Sequence, residues 1–565
     1  MQETSTKSAR IVECDVLIVG AGSAGCVAAN RLSTDERRRV VLLEAGSDFG
    51  ADENAEIRNL YPLSYANPAH LWPGLRASWC DDVSSVPFSQ GRGMGGSSSV
   101  MGMWALRGLP QDYDGWRELG ADGWGWSDVL PYFKRLENDW DFPRSDVHGD
   151  TGPIPIRRQP RDAWPPFTRA MRNAAGDLGI PTMADLNGDF TDGLYQVPIS
   201  ATLEGRVSAA RAYLPRKVRA RRNLRILTGT TCSELVISEG RVVGACARDA
   251  GGPIVIRAKT TVLAAGAIHS PALLLASGIG PGATLKDADI EVRHHLEGVG
   301  RNLQNHAGVT IGVHLARNVL ATRLAASAAF AAIRASSGAG PAQDLYLSIL
   351  DRTSWTYFGG RIGAINAVLH KPFSRGTVAL QRDGAGLKAA AKFRFLSDER
   401  DAPRLMKAVE LAIALLTSRH LKPMARGMGV LRPGGFVRRI MTRTAINRML
   451  DGLAHVASRT FPALEDQLVQ AVMRSSPQSL LEELRQSGPD ALRRYTTGLF
   501  HPVGTCRMGR ESDVLAVATP SGKLIGLAGL YIIDASIMPT IPCANTNLPV
   551  IMAAEKISSE LCQLV

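Results

Sequence analysis

The sequence lacks the features typical of a secreted protein, of a protein stabilised by a structural zinc site, or of a membrane-spanning protein. Its eight cysteines are scattered and include no C-x-x-C pair, so their spacing argues against a zinc site and favours reduced thiols. No apolar run approaches the ~20 residues needed to cross a bilayer. The polar segment Met1–Arg10 lacks the apolar core of a signal peptide, so we expect no export by that route and a cytoplasmic protein.

The composition is that of an ordinary globular protein, with 45% hydrophobic and 21% charged residues. A chain of 565 residues exceeds what one hydrophobic core accommodates, so we expect two domains. The net charge of +12 is concentrated in Arg404–Arg448, where ten Arg or Lys residues stand against Glu410 alone. Such a segment is either solvated surface or a contact for anionic lipid, an acidic partner or an anionic substrate. No zinc-finger, RNP or helix-turn-helix pattern supports nucleic-acid binding.

A nucleotide-binding pattern opens the chain. The buried strand pattern Cys14–Val19 runs directly into the glycine-rich loop 20–25, which reads G-x-G-x-x-G, and then into a helix-forming segment. The three glycines allow a tight turn, close approach of a pyrophosphate and close helix packing. A second strand, Val40–Leu43, ends in Glu44, where a carboxylate can accept hydrogen bonds from an adenosine ribose. These features predict dinucleotide binding without separating NAD from FAD.

Two further blocks separate the cofactors. The glycine–serine loop Gly91–Val100 is suited to bringing backbone N–H groups against a large planar or phosphorylated ligand, although alone it would also fit a linker. The second block, Gly266–Gly280, follows the strand-like Thr261–Ala265. Both closely resemble the two signature motifs of the glucose-methanol-choline oxidoreductase family.

The resemblance extends along essentially the whole chain. It includes the arginine–serine block 206–214, the turn 299–306 and the C-terminal block 501–509. It implies an α/β fold in which a Rossmann-like FAD-binding domain is built from residues 10–155, 200–310 and 496–565. An α+β substrate-binding domain, containing a sheet and helices, would take residues 156–199 and 311–495.

The resemblance implies an FAD that is bound without a covalent link, because Val100 and its neighbours provide no His or Cys where covalent relatives carry an attachment histidine. No metal is expected. Met101 and Asn305 depart from the residues usual in the family, and we interpret both as tolerated variation. The expected cofactor contacts are Gly20, Gly22, Ser23, Ala24, Gly25, Glu44, Ala45, Arg92, Gly95, Gly96, Ser97, Ser98, Val100, Cys232, Ala265, Gly266, Asp534, Ala535 and Asn547.

Alcohol oxidation by a flavin requires a base for the hydroxyl proton and a polar group for the alcohol oxygen. The family resemblance places His501 in the first role and Asn545 in the second. Histidine is suited to be a base near neutrality, and an amide can donate to a forming alkoxide without competing for its proton. Phe500 and Met101 are expected at the substrate. The other two histidines of the recognised motifs are expected to be structural: His269 and His306.

Within the family, segments 108–114, 120–124 and 545–549 look most like bacterial 5-hydroxymethylfurfural oxidases and aryl-alcohol oxidases. The leading expectation is therefore oxidation of a primary aromatic or furan-type alcohol to the aldehyde. The alternatives are a choline or aliphatic-alcohol dehydrogenase that uses a quinone, and a hydroxynitrile-lyase-like enzyme with no net redox step. Oxygen and a quinone-type carrier both remain open as electron acceptors.

Two segments have no counterpart in these motifs. Residues 438–475 look like an insertion, and 437–450 has the pattern of an amphipathic helix that would cap the substrate entrance, form an oligomer contact, touch a membrane or lie on the surface. The Ala-, Ser- and Gly-rich segment 321–340 suggests either a lid over the pocket or an exposed helix with a flexible end.

Overall fold

A computed structural model describes residues 9–319, 327, 329–384, 386–431, 439–461, 463, 465–467, 469, 473–474 and 476–564. Its mixture of sheets and helices confirms the expected α/β class. The boundaries of the two domains stay a prediction.

The first sheet carries the nucleotide motif. Strand Arg10–Val19 pairs in parallel with Val40–Leu43 on one side and Gly252–Leu263 on the other. The residues from Val16 to Val19 are all buried, as expected where helices cover both faces of a parallel sheet. In spatial order, six of the seven described strands are Leu224–Leu227, Val40–Leu43, Arg10–Val19, Gly252–Leu263, Arg241–Asp249 and Thr231–Ser238; Leu530–Ile532 pairs with the end of Gly252–Leu263.

The second large sheet is antiparallel throughout its described pairs. It has eight described strands: in order Met473–Arg474, Ala425–Leu431, Ala307–Leu315, Ile362–Leu369, Leu345–Leu350, Ala329–Ala335 and Gly193–Gln196, with Thr497–Gly498 also paired to Ala307–Leu315. Helices Pro166–Asp177 and Asp401–Leu416 contribute to its hydrophobic core. Because Ala307–Leu315 begins directly after His306, this sheet fixes one side of the region around His501.

Three smaller sheets accompany the two large ones among the described residues. They contain Thr377–Asp383, Gly386–Lys392, Arg76–Ser78 and Val86–Pro87; Glu137–Asp139, Ile154–Arg157, Ile199–Thr202 and Gly205–Arg206; and the pair Ile279–Gly280 with His294–His295. The remaining described α-helices are Ser23–Leu32, Ala55–Arg58, Ser97–Val100, Pro110–Glu118, Trp126–Leu136, Ala209–Tyr213, Arg216–Arg219, Gly266–Ala276, Gly282–Asp287, Ala445–Thr460, Pro477–Ser487, Pro489–Tyr495 and Asn547–Leu564.

Two sequence expectations need correction. Part of the expected lid segment, Ala329–Ala335, is a buried strand next to the edge strand of the second sheet, because its alanines and Ile333 pack into the core. Residues 321–326 and 328 of that segment lie outside the described residues. The amphipathic helix expected over 437–450 instead spans Ala445–Thr460, with Thr444 as its N-cap; residues 437 and 438 lie outside the description.

The basic segment Arg404–Arg448 is not one charged surface. Arg404 is fully buried and pairs with Asp344 at 2.6 Å. Arg419 lies 3.0 Å from Asp177, and Arg426 lies 3.1 Å from Asp466. Counting charges along the sequence missed these pairs because their acids lie far away in the chain. Residues 432–438 lie outside the described part.

A buried charge network surrounds His148. Its ring lies between Glu137 (2.9 Å) and Asp185 (2.8 Å), and these hydrogen bonds raise its pKa to about 9 although burial opposes the charge. Arg107 pairs with Glu137, and Arg158 pairs with Asp139 and Asp185. Glu137, Asp139 and His148 have metal-ligand side chains within reach of one another, but the arginines already balance the carboxylates. We interpret the network as structural.

Candidate active site

Glu44 joins the loops of the nucleotide end. Its Oε2 accepts the N–H of Ala21 at 3.0 Å, and its Oε1 accepts those of Gly46 at 2.8 Å and Gly93 at 3.0 Å. Burial raises the pKa of this carboxyl, while the three amides favour its charged form. Glu44 therefore fixes the first glycine loop against the second. Its hydrogen bond to a ribose stays a prediction.

The first glycine loop leaves room for a phosphate. A Cβ atom on Gly25 would lie 1.8 Å from the carbonyl oxygen of Gly20, so the helix packs as closely as glycine allows. A Cβ atom on Gly22 would meet nothing nearer than 4.0 Å. Helix Ser23–Leu32 begins beside that space without a side-chain cap. An uncapped helix N-terminus next to open space fits the pyrophosphate of FAD.

Two more elements meet at the same helix end. A Cβ atom on Gly96 would lie 2.9 Å from the Cα atom of Gly22, so the glycine–serine loop lies against the first loop. The Ser23 hydroxyl donates to Asn547 Oδ1 at 2.7 Å, although 524 positions separate them. The structure thus brings the beginning and end of the chain together at the predicted cofactor site.

The turn at Asp534 connects this site to the loop that carries His501. Asp534 accepts the N–H of Gly266 at 2.9 Å and that of Ser536 at 2.8 Å. The carbonyl of Ala535 accepts the N–H of Gly504 at 3.1 Å. These bonds hold the Asp534–Ala535 turn against the second signature block and the loop of His501. Contact of this turn with the cofactor stays a prediction.

Three polar residues of the glycine–serine region hold it in place by contacts within the protein. Arg92 donates to the carbonyl of Ala45 at 2.7 Å. The Ser97 hydroxyl accepts the N–H of Gly91 at 3.2 Å, and the Ser98 hydroxyl accepts that of Ala209 at 3.0 Å. The remaining predicted cofactor residues are buried, half-buried or capping positions along the same elements: Gly20, Ala24, Gly95, Val100 and Ala265.

Cys232 lies in edge strand Thr231–Ser238, where it pairs with Ala247. Two positions earlier, the N–H of Thr230 donates to the carbonyl of Glu44 at 2.9 Å. The start of this strand therefore lies beside the nucleotide end. A backbone contact from Cys232 to adenine stays a prediction.

The two predicted catalytic residues face each other directly. His501 Nε2 and Asn545 Nδ2 are 2.9 Å apart, across 44 positions of sequence. Burial lowers the pKa of His501 to about 3, so the imidazole is neutral at neutral pH. A neutral imidazole next to an amide donor has the composition required of a base paired with an alkoxide-binding group.

His306 determines which nitrogen of His501 is the base. His306 Nε2 lies 3.1 Å from the carbonyl of Pro542, which can only accept, so this nitrogen carries the hydrogen. Burial holds the pKa of His306 well below its ordinary value, so its Nδ1 carries a lone pair. His501 Nδ1, at 2.9 Å, must then donate to it. The lone pair of His501 is left on Nε2, towards Asn545.

Asn305 explains one departure from the family pattern. Its Oδ1 accepts the backbone N–H of His501 at 3.1 Å and that of His306 at 2.9 Å. Its Nδ2 donates to the carbonyl of Leu499 at 2.5 Å. An ionised Asp at this position would have no hydrogen to donate and would place its second oxygen against the Leu499 carbonyl. Asn305 thus keeps negative charge away from His501.

Three residues in or near the candidate site have contacts that the sequence did not predict. His306 was expected to be merely structural. His370 stacks on Tyr346 with ring centroids 4.5 Å apart and lies 4.5 Å from the ring of His306. Arg206 is fully buried and donates to the carbonyls of Ser98 and Met101. His370 directly follows strand Ile362–Leu369 and lies in no recognised motif, so the sequence offered no signal for it.

The two predicted substrate residues differ in their surroundings. Phe500 belongs to an aromatic cluster: its ring lies 5.3 Å from that of Tyr65 and 5.6 Å from that of Phe88. Met101 ends helix Ser97–Val100 and is held through its carbonyl by Arg206. Phe500 directly precedes His501 in the sequence and is half-buried. Substrate contact by either residue stays a prediction.

Comparison with known proteins agrees with this geometry. Models of the GMC oxidoreductase family match residues 14–308 and 372–554. The chain belongs to the GMC oxidoreductase family. It is 36% identical to the 5-(hydroxymethyl)furfural oxidase of Methylovorus sp. (strain MP688), over 97% of this chain and 98% of that relative. It is 30% identical to oxygen-dependent choline dehydrogenase 1 of Chromohalobacter salexigens, over 97% and 95% respectively.

A solved structure of another family member is similar. The crystal structure of pyridoxine 4-oxidase from Mesorbium loti superposes with a TM-score of 0.77 at 26% identity, covering 97% of this chain and 99% of that one. The chain is therefore an FAD-binding GMC oxidoreductase, an FAD-dependent enzyme of the alcohol oxidase and dehydrogenase class. Among its described helices, none is long and apolar enough to cross a membrane.

Proposed function

We propose that this GMC oxidoreductase oxidises a neutral primary alcohol, of aromatic or furan type, to the aldehyde. The observation that carries the proposal is the half-buried pair of His501 Nε2 and Asn545 Nδ2, 2.9 Å apart, with the lone pair of His501 directed towards Asn545 by the hydrogen bond to His306. The 36% identity to a 5-(hydroxymethyl)furfural oxidase supports the same substrate class.

The bound FAD supplies the hydride acceptor. The residues that would hold it are those of the first glycine loop, the glycine–serine loop and the turn at Asp534. His501 Nε2 accepts the hydroxyl proton of the alcohol, and the His306 hydrogen bond keeps that nitrogen unprotonated until then. Asn545 has two amide hydrogens, so it donates one to the substrate oxygen as negative charge develops there.

The charges around the histidines favour a neutral substrate over a cation such as choline. The positive charge of Arg334 helps to hold the pKa of His370 below its ordinary value, after the larger effect of burial. Lys371 acts in the same direction, although it is paired with Asp112 at 2.5 Å. Lys371 also lowers the pKa of His306. A quaternary ammonium group would be repelled here, whereas a flat neutral ring can pack on the aromatic cluster around Phe500.

The test is anaerobic stopped-flow reduction of the bound flavin with 5-hydroxymethylfurfural, benzyl alcohol and choline. His501→Ala should slow reduction ~10²–10⁴-fold, because that is the usual contribution of a general base. Asn545→Ala should slow it less, and Asn545→His should retain most of the rate. His420→Ala is the control: it also replaces a histidine, but one that contacts Asp177 and not His501 or Asn545. It should leave the rate of flavin reduction unchanged.

Normal reduction of a fully FAD-loaded His501→Ala variant would refute the assignment of the base. Faster reduction by choline than by the furan alcohol would refute the substrate class. A flavin that stays oxidised with every alcohol, while a cyanohydrin is cleaved, would indicate a lyase. Repeating reoxidation with oxygen and with a soluble quinone identifies the acceptor. Fractionating cells of the source organism tests the cytoplasmic location, which stays a prediction.

A further inference from the structure

Helix Ala445–Thr460 exposes an apolar stripe instead of burying it. Ile446 is 66% exposed, Met449 61%, Leu453 59% and Val456 65%, and Leu450 is also exposed. At 100° per residue these five side chains occupy an arc of about 120°, and the helix is about 24 Å long. Phe461, 63% exposed, follows at its end. Single exposed apolar residues are ordinary, but a continuous stripe of large ones marks an interaction surface.

The opposite face holds the helix on the protein. Asp451 Oδ1 accepts the N–H of Tyr357 at 2.7 Å, and His455 stacks on the Tyr357 ring with centroids 4.6 Å apart. Ser458 is buried and its carbonyl accepts from Arg317 at 2.9 Å. The helix is therefore anchored along one side, and its apolar stripe is displayed outward.

The surroundings of the stripe are basic. Between residues 439 and 461 the sequence contains four arginines and one acid, Asp451, whose carboxylate is engaged on the anchored side. One of the four, Arg443, pairs with Glu56 at 3.3 Å. Arg439 and Arg448 are exposed, and within the part of the chain that the structure describes neither has a carboxylate partner within 4.0 Å. An exposed apolar stripe flanked by unneutralised arginines is the pattern of a helix that lies in the interface of an anionic bilayer.

This helix lies near the elements that enclose the candidate active site. The N–H of Arg443, just before the helix, donates to the carbonyl of Ala66 at 2.8 Å. Tyr65, the residue before Ala66, has its ring centroid 5.3 Å from that of Phe500, which directly precedes His501 in the sequence. The segment that precedes the helix therefore contacts the same loop as the aromatic cluster around Phe500.

We propose that helix Ala445–Thr460 docks the protein on the surface of a membrane rich in anionic lipid, with its stripe inserted among the headgroups and Arg439 and Arg448 facing lipid phosphates. The apolar residues provide insertion, and the arginines provide attraction. Neither contribution suffices alone, because insertion of a few side chains and attraction of a few charges are each weak and reversible. This inference is independent of which alcohol the enzyme oxidises.

The experiment is co-sedimentation of the FAD-loaded protein with vesicles of phosphatidylcholine mixed with phosphatidylglycerol, and with vesicles of phosphatidylcholine alone. Binding is expected to the mixed vesicles and to fall strongly between about 0.1 M and about 1 M salt, because the Debye length shrinks from ~10 Å to ~3 Å. Arg439→Gln with Arg448→Gln should lower the partition coefficient roughly thirtyfold, since each arginine near an anionic surface contributes about fivefold.

The apolar contribution is tested by Met449→Gln with Leu453→Gln, which should lower the partition coefficient at least about tenfold while the helix is retained. Matched controls remove the same groups from other surfaces: Arg222→Gln with Arg225→Gln, and Leu203→Gln with Val514→Gln. Both controls should bind as the unmodified protein does. Hydrogen exchange should show protection on vesicle addition confined to peptides that cover 439–461.

Other outcomes overturn the proposal. Equal binding to both kinds of vesicle, no binding, or full binding of the Gln variants would each refute it. Analytical ultracentrifugation without lipid tests whether a second copy of the protein covers the apolar stripe instead. A dimer that dissociates when Met449 and Leu453 are replaced would show that a second copy covers it. Vesicle binding that the control variants lose equally would indicate general attraction of a basic protein.

Discussion

The hydrogen bond from His501 to His306 makes a specific prediction about catalysis. His306→Leu keeps a buried side chain of similar bulk but removes the acceptor 2.9 Å from His501 Nδ1. The Nδ1–H of His501 would then be buried without a partner, and the alternative tautomer, with the hydrogen on Nε2, would relieve this cost. That tautomer has no lone pair facing the substrate and cannot act as the base.

The size of the effect follows from the bond that is lost. Leaving a buried donor unsatisfied costs about 1–3 kcal/mol, which corresponds to a factor of roughly 5–150 in the population of the competent tautomer. Flavin reduction should slow by that factor. His306→Asn should recover part of the rate, because its Oδ1 lies close to the position of the lost Nδ1 and accepts the same hydrogen.

The assay is anaerobic stopped-flow reduction at saturating alcohol, with FAD content and melting temperature measured for each variant. A purely structural role predicts that both variants lose FAD or melting temperature and that Asn is no better than Leu. A positioning role predicts normal FAD content, a lower limiting rate and recovery by Asn. Unchanged flavin reduction by a fully FAD-loaded His306→Leu variant would show that the hydrogen bond to His306 does not determine the tautomer of His501.

Three further predictions concern charge and the cofactor. Asn305→Asp should raise the pKa of His501, because a carboxylate 3.1 Å from its backbone N–H favours the imidazolium, and the acid limb of kcat/KM should move to higher pH; an unmoved limb would contradict this. The raised pKa of His148, about 9, contributes stability that is complete below pH 6.5 and is lost as pH rises through 9, up to about 3 kcal/mol. Melting temperature against pH should show that loss, and His148→Gln should abolish the pH dependence. Acid or heat should release FAD, and colour retained by washed denatured protein would disprove non-covalent binding.

The sequence predicted a dinucleotide cofactor because the chemistry of the nucleotide end depends on local backbone. Gly22 and the strand before it are contiguous, and their spacing alone implies a tight turn at a helix N-terminus. The pairing of His501 with Asn545 also followed, but only through family resemblance. Nothing in their separation of 44 positions implies a contact of 2.9 Å.

What the sequence could not predict depends on contacts between distant segments. The imidazole of His306 acquires its role from a carbonyl at Pro542 and a ring at His501, 236 and 195 positions away. The sequence count placed Arg404 in a charged surface segment. In the structure Arg404 forms a buried ion pair with Asp344. The apolar stripe on Ala445–Thr460 was visible as a helical pattern, but only the structure shows that it faces outward.

The unusual asparagine and the positive surroundings of the histidines serve the same electrostatic end. An alcohol must lose a proton as hydride departs, so negative charge develops on its oxygen, and stabilising that charge is the largest task of the protein. A carboxylate at position 305 would oppose it and protonate His501 in advance. Burial keeps His501 neutral, and the neutral Asn305 places no carboxylate against its backbone N–H. The substitution is thus consistent with a site adapted to uncharged alcohols.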